Sequence, residues 1–125
     1  MVKFLTPQEV EVYYIIPGLK SCISRCLKEK GYSQSEIARM LQVDRAAVSQ
    51  YVSGKRGQTK FDKETSDEIK KSVLMIHDVD SMTREIQRLI VVTRRNKTLC
   101  RVHKEINGEM PCSPELIRLC TTGSY

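Results

Sequence analysis

The stretch Ser33–Gly57, SQSEIARMLQVDRAAVSQYVSGKRG, constrains the fold of this chain more than any other segment. Two short helical patterns follow one another across a three-residue interruption, and the second ends in a basic hook. Ser33 with Glu36 has the capping-box spacing, in which a hydroxyl and a carboxylate satisfy each other's backbone amides. A helix is therefore expected from about Gln34 to Leu41, burying Ile37 and Met40 or Leu41 on one face. Ala38 supplies the small side chain that a close helix crossing needs. Asp44 can cap a second helix through Val52, with Val48 and Tyr51 turned inward and Val43 plugging the turn. Ile37, Ala38, Leu41, Val43, Val48 and Tyr51 then form one buried set.

This is the spacing of a helix-turn-helix, in which one helix braces a second whose outer face can enter the DNA major groove. Arg45, Ala46, Ser49, Gln50 and Ser53 remain for that outer face. They are short or hydrogen-bonding side chains, and Arg and Gln have the forks for bidentate contacts to guanine and adenine. Lys55 and Arg56, on a Gly-flanked loop, suit phosphates. So does Gln34 at the start of the bracing helix, where backbone N–H groups face outward.

Composition and charge agree with a polyanionic partner. The chain has 125 residues, enough for one ordinary domain and an appendage. No apolar run approaches the roughly 20 residues of a membrane span, and the N-terminus lacks the features of a signal peptide, so a cytoplasmic location is expected. Lys and Arg number 21 against 15 Asp and Glu, a net charge of +6. Residues 1–60 carry 10 basic against 5 acidic side chains, and residues 61–125 carry 11 against 10. Nearly all the excess lies in the half that holds the helix pair, where it would attract a nucleic acid and release counterions on binding.

Upstream, Thr6-Pro7-Gln8-Glu9 combines an N-cap Thr, a Pro at the first helical position and a Glu three residues after the cap. Val10, Tyr13, Tyr14 and Ile16 run into Pro17-Gly18, and helical spacing resumes through Leu19, Ile23, Cys26 and Leu27 to Gly31. One bent helix is expected. The helix pair resembles the DNA-binding domain of archaeal helix-turn-helix regulators related to the Cro and lambda repressor class. The Pro-interrupted TPQEVEVYYIIPGLK resembles those regulators whose domain also occurs fused to a thiamine-phosphate synthase domain. Together the similarity covers about half the chain, and it implies duplex DNA as the partner. Gln42 departs from the family, which usually has a Gly in the turn; a positive φ there would cost on the order of 1 kcal/mol.

Residues 1–60 are accordingly read as the helix-turn-helix domain and residues 61–125 as a helical dimerisation region with a Cys-containing tail, the whole being all-α. Thr65 with Glu68 repeats the capping-box spacing ahead of Ile69, Val73 and Ile76. Asp80 or Ser81 can cap a further helix running as far as Asn107, with Gly108 as its stop. Met82, Ile86, Leu89, Thr93, Asn96, Cys100 and His103 recur along it at spacings of four and three, a seam for a helix of this chain or of a second copy. The segment from Met82 to Leu89 is the candidate homodimer contact. Ser113-Pro114-Glu115 signals a last short helix through Cys120.

Five cysteines in an intracellular chain argue against a disulfide framework. Cys22 and Cys26, one turn apart, read as small buried hydrophobes. Cys100, His103, Cys112 and Cys120 are four soft donors that zinc or an iron–sulfur cluster could take, although only one pair has the short spacing of a metal knuckle, and buried uncoordinated thiols are the reading favoured over metal binding. The resembling regulators are Cys-rich at this end too, commonly with a second Cys where His103 stands. A metal there would make the tail a metal or redox sensor. Catalysis is not expected: Cys100 and His103 have no third orienting group, and there is no Gly-rich phosphate loop or supported carboxylate pair. The reading is thus a sequence-specific transcriptional regulator; the alternative is a helical interaction module or assembly subunit that uses the helix pair for packing.

Overall fold

The computed structural model of the chain describes residues 6–108 together with 114, 115 and 118, and these residues are all-α. Thr6 opens the first helix with the expected box: the Thr6 amide donates to Glu9 Oε1 at 2.8 Å, and the Glu9 amide donates to Thr6 Oγ1 at 3.3 Å. Helix α1 continues through Pro7–Val10, a π-helical Glu11–Ile15, and Ile16–Glu29. Pro17 has no N–H and crowds the carbonyl four residues back, and the widened π turn just before it absorbs that crowding without ending the helix. The widening also changes which residues face the core. Val10, Ile15, Leu19, Ile23 and Leu27 are fully buried, a first step of five and then steps of four. Tyr13 and Tyr14, which the sequence pattern assigned to the apolar stripe, are instead 61% and 37% exposed.

Helices α2 (Gln34–Leu41) and α3 (Arg45–Ser53) are the expected pair. Ile37, Ala38, Leu41, Val48 and Tyr51 are buried and Val43 is half-buried; Met40 and Ala47 join them. Gln42 adopts φ 57°, ψ 45°, so this chain places a Gln in the left-handed turn position.

The second half departs from expectation at its caps. Helix α4 (Lys63–Met75) is capped by Asp62, whose Oδ1 accepts from the Thr65 amide at 2.9 Å; Thr65 is buried in the third helical position rather than serving as the cap. Asp78, rather than Asp80 or Ser81, caps α5 (Val79–Arg95), and Ser81 is its reciprocal box partner. The expected single helix to Asn107 is two. Asn96 ends α5, Lys97 is left-handed at φ 67°, and α6 (Thr98–Asn107) starts afresh. The break is stabilised by Asn96, whose Oδ1 accepts from the Thr98 amide at 3.0 Å and whose Nδ2 donates to Thr65 Oγ1 at 2.8 Å. A polar residue in the expected stripe thus closes one helix and opens the next. Gly108 ends α6 at φ 76°.

Both halves share one core, in which Val10, Leu19, Ile37 and Val48 cluster with Ile69, Leu89 and Leu99. Met82 and Leu89 are buried inside the single chain. They cannot also form a seam for a second copy, which corrects the expected dimer contact. Arg88 ties α5 to α4 through Glu68 Oε1 at 2.7 Å and Ser72 Oγ at 2.7 Å. The expected last helix to Cys120, with Cys112 and Cys120 themselves, lies outside the described residues.

Candidate nucleic-acid interface

Helix α3 is oriented from both ends and from beneath. Asp44 Oδ1 accepts from the Ala47 amide at 2.8 Å, fixing its start. At its end Gly54 is left-handed at φ 83°, and the Gln50 carbonyl accepts from the amides of Lys55 at 2.9 Å and Arg56 at 3.2 Å. The basic hook is therefore folded back onto the helix. Beneath it, Ser21 Oγ of α1 donates to the Tyr51 carbonyl at 2.9 Å in a buried bond, and Arg25 Nη1 donates to Ser21 Oγ at 3.1 Å.

With that face pinned to α1, Arg45, Ala46, Ser49, Gln50 and Ser53 are all exposed on the opposite face. Lys55 and Arg56 are exposed beside it, and the Arg56 guanidinium lies over the Tyr51 ring, 5.6 Å from its centroid. That contact limits where Arg56 can reach. Gln34 is half-buried at the start of α2. The capping box there employs the amides of Ser33 and Glu36 but not those of Gln34 and Ser35, and the Ser33 amide holds the Glu36 carboxyl below its ordinary range.

The ion pairs found among the described residues lie elsewhere: Lys63–Asp67, Lys71–Glu68, His77–Asp78, Arg84–Asp80, Arg88 with Glu68 and Glu85, Arg94–Glu11 and Arg101–Glu105. Arg45, Lys55, Arg56 and Lys60 have no carboxylate partner among the described residues. The exposed side of the helix pair is polar and positive.

The loop that carries the hook is docked on α1 by close backbone approach. Gly57, at φ 73°, lies so near Pro17 that a Cβ would overlap the Pro17 carbonyl and come within 2.9 Å of Ser21 Cβ. A Cβ on Gly18 would stand 2.9 Å from Thr59 Cβ and 3.0 Å from Phe61 Cζ. Thr59 Oγ1 donates to the Tyr14 carbonyl at 2.8 Å, which completes the attachment. Sequence reasoning saw Pro17-Gly18 only as a kink; two glycines far apart in the chain, each beside a residue of the other segment, are the signal it lacked.

Of the four soft donors, Cys100 and His103 lie one turn apart on α6, half-buried and buried. Among the described residues no group of three or more His, Cys, Asp or Glu is placed to hold a metal ion. Cys22 and Cys26 pack against the core, and burial pushes both thiols up, away from the thiolate that binds metal or reacts.

Comparison with known proteins agrees with this geometry. The helix-turn-helix family model matches residues 23–61, so the chain carries a Cro/C1-type helix-turn-helix domain there. The ferredoxin-type protein FwdE of Methanocaldococcus jannaschii is 40% identical over 42 residues, 34% of this chain and 29% of that protein. The match thus spans less than a third of the relative's length. No solved structure matches the chain.

Proposed function

We propose that this chain, with its helix-turn-helix domain at residues 23–61, is a sequence-specific duplex DNA-binding regulator of the Cro and lambda repressor class. The observation that carries this reading is the exposed face of α3. It is polar, it is flanked by cations that have no carboxylate partner among the described residues, and the hook beside it is held by the Gln50 carbonyl. Arg45 and Gln50 read base edges, Ala46, Ser49 and Ser53 line the groove, and Lys55, Arg56 and Gln34 meet phosphates. A packing module would present an apolar face here, and α3 does not.

Residues 1–60 supply the reading head, and residues 61–125 are the second region, whose described helices α4, α5 and α6 share its core. The protein acts where duplex DNA is, in the cytoplasm or nucleoid, and as a homodimer, because one helix-turn-helix spans too few base pairs for useful specificity. Its dimer contact uses a surface other than the buried Met82–Leu89 stripe. Cys100 and His103, with Cys112 and Cys120 from outside the described residues, are the candidate donors of a metal- or redox-sensing tail. Similarity to a protein named ferredoxin-type keeps an iron–sulfur cluster beside zinc as the species to assay. Selection of bound sequences from a random duplex library tests the function: enrichment of one motif, in two half-sites about 34 Å apart, is expected. A pool that stays random would sink the reading.

A further inference from the structure

A groove of about 620 Å³ lies between the π-helical part of α1, the loop after α3 and helix α6. Its size is that of a small-molecule site, roughly 300–1,000 Å³. Two kinds of side chain line it. Tyr13 and Tyr14, turned outward by the π turn, supply aromatic rings, and Val102 adds an apolar wall. Among the described residues, Lys55, Lys60 and Arg101 supply three cations to the lining and Glu105 the one carboxylate, which is already engaged by Arg101 at 3.0 Å.

The walls are fixed to one another by bonds between the three segments. Thr59 Oγ1 holds the loop to the Tyr14 carbonyl, and Arg101 Nη2 donates to the Lys60 carbonyl at 2.8 Å. The groove is thus preformed, which lowers the ordering cost of filling it. From this charge and shape we infer that the groove binds a small organic anion with a planar ring, its ring against the tyrosines and its charged group toward Lys60 and Lys55. The DNA-reading function is not needed for such binding. If that function holds, Lys55 serves both sites, and an occupied groove withdraws it from phosphate.

The site can be probed with anilinonaphthalene sulfonate, a fluorescent planar anion, titrated into the full chain without DNA. Saturable binding is expected, displaced either by benzoate or by a nucleoside monophosphate; the competitor that works identifies the head group as carboxylate or phosphate. Lys60→Gln and Tyr13→Ala, both at exposed positions, should each weaken it about ten-fold with the near-ultraviolet circular dichroism unchanged. Binding that neither variant alters, displacement by neither competitor, or no saturable binding would overturn the inference. So would a loss of duplex affinity in Lys60→Gln with anion binding intact, which would make the groove a flank of the DNA surface.

Discussion

Glu11 and Arg94, 83 residues apart in sequence, meet in a bidentate ion pair: Arg94 Nε donates to Glu11 Oε2 at 2.7 Å and Nη2 to Oε1 at 3.0 Å. Both side chains are largely buried, and the pair joins the π turn of α1 to the last turn of α5. Removing one partner of such a pair leaves the other charge without its counterpart in a poorly solvated site. Arg94→Ala should therefore lower unfolding stability by about 3 kcal/mol. Urea denaturation of the variant against the parent measures this, and a change near zero would show that water replaces the partner.

Arg45→Ala and Gln50→Ala should each cost roughly 1–3 kcal/mol on the preferred duplex and relax preference at one base pair. Lys55→Ala should weaken all sequences alike and reduce the salt slope by about one. Arg56→Ala should do the same, less strongly, because its guanidinium is held over Tyr51. Anisotropy titrations over a range of salt separate the two classes. Four unaltered binding curves would mean that this face does not touch DNA.

Three turn positions share the left-handed conformation but differ in surroundings. Nothing lies within 4 Å of where a Cβ on Gly54 would stand, so Gly54→Ala should cost only the conformational strain, on the order of 1 kcal/mol. Gly57→Ala adds the overlap with Pro17, and should cost more and weaken DNA binding as the hook lifts from α1. Gln42→Gly relieves strain and should raise stability by a few tenths of a kcal/mol, since glycine's looser unfolded chain offsets part of the gain. Thermal melts rank the three, and equal losses for the two alanine variants would contradict the docking role of Gly57.

The full chain should sediment as a dimer at micromolar concentration. Leu74 and Met75 are large apolar residues exposed at the end of α4, outside the groove. The double substitution Leu74→Glu, Met75→Glu should make the protein monomeric and reduce operator affinity without unfolding it. A parent that is already monomeric would remove the dimer from the proposed function.

Anaerobically purified full-length protein should retain zinc, or iron with sulfide, and Cys100→Ser should lose it. Elemental analysis with a sulfide assay decides which. Metal absent from both proteins, with DNA binding unchanged after thiol oxidation, would leave Cys100 and His103 as packing residues of α6.

Much of the fold was legible because its signals are local. Ser33 with Glu36, Asp44, and the inward set from Ile37 to Tyr51 each act within one or two turns, so the bounds of α2 and α3 and the outward face of α3 follow from the chain alone. The cap of α4 was misread because Thr65 has the right spacing to Glu68 but is drawn inward by Thr98 and Asn96, more than thirty residues away. The same long-range bonds turn Asn96 from one more stripe residue into a helix break. Periodicity cannot register a π turn either: one extra residue per turn exchanges Ile15 for Tyr13 and Tyr14 at the core, and so creates the aromatic wall of the groove. The sequence by itself determined the all-α class, the helix pair and the side chains that pair presents, since capping and helical period depend only on neighbours along the chain. Tertiary structure decided where the hook docks, which stripe is core rather than dimer seam, and that Glu11 meets Arg94. Those outcomes depend on surfaces brought together across the fold, and no local pattern encodes them.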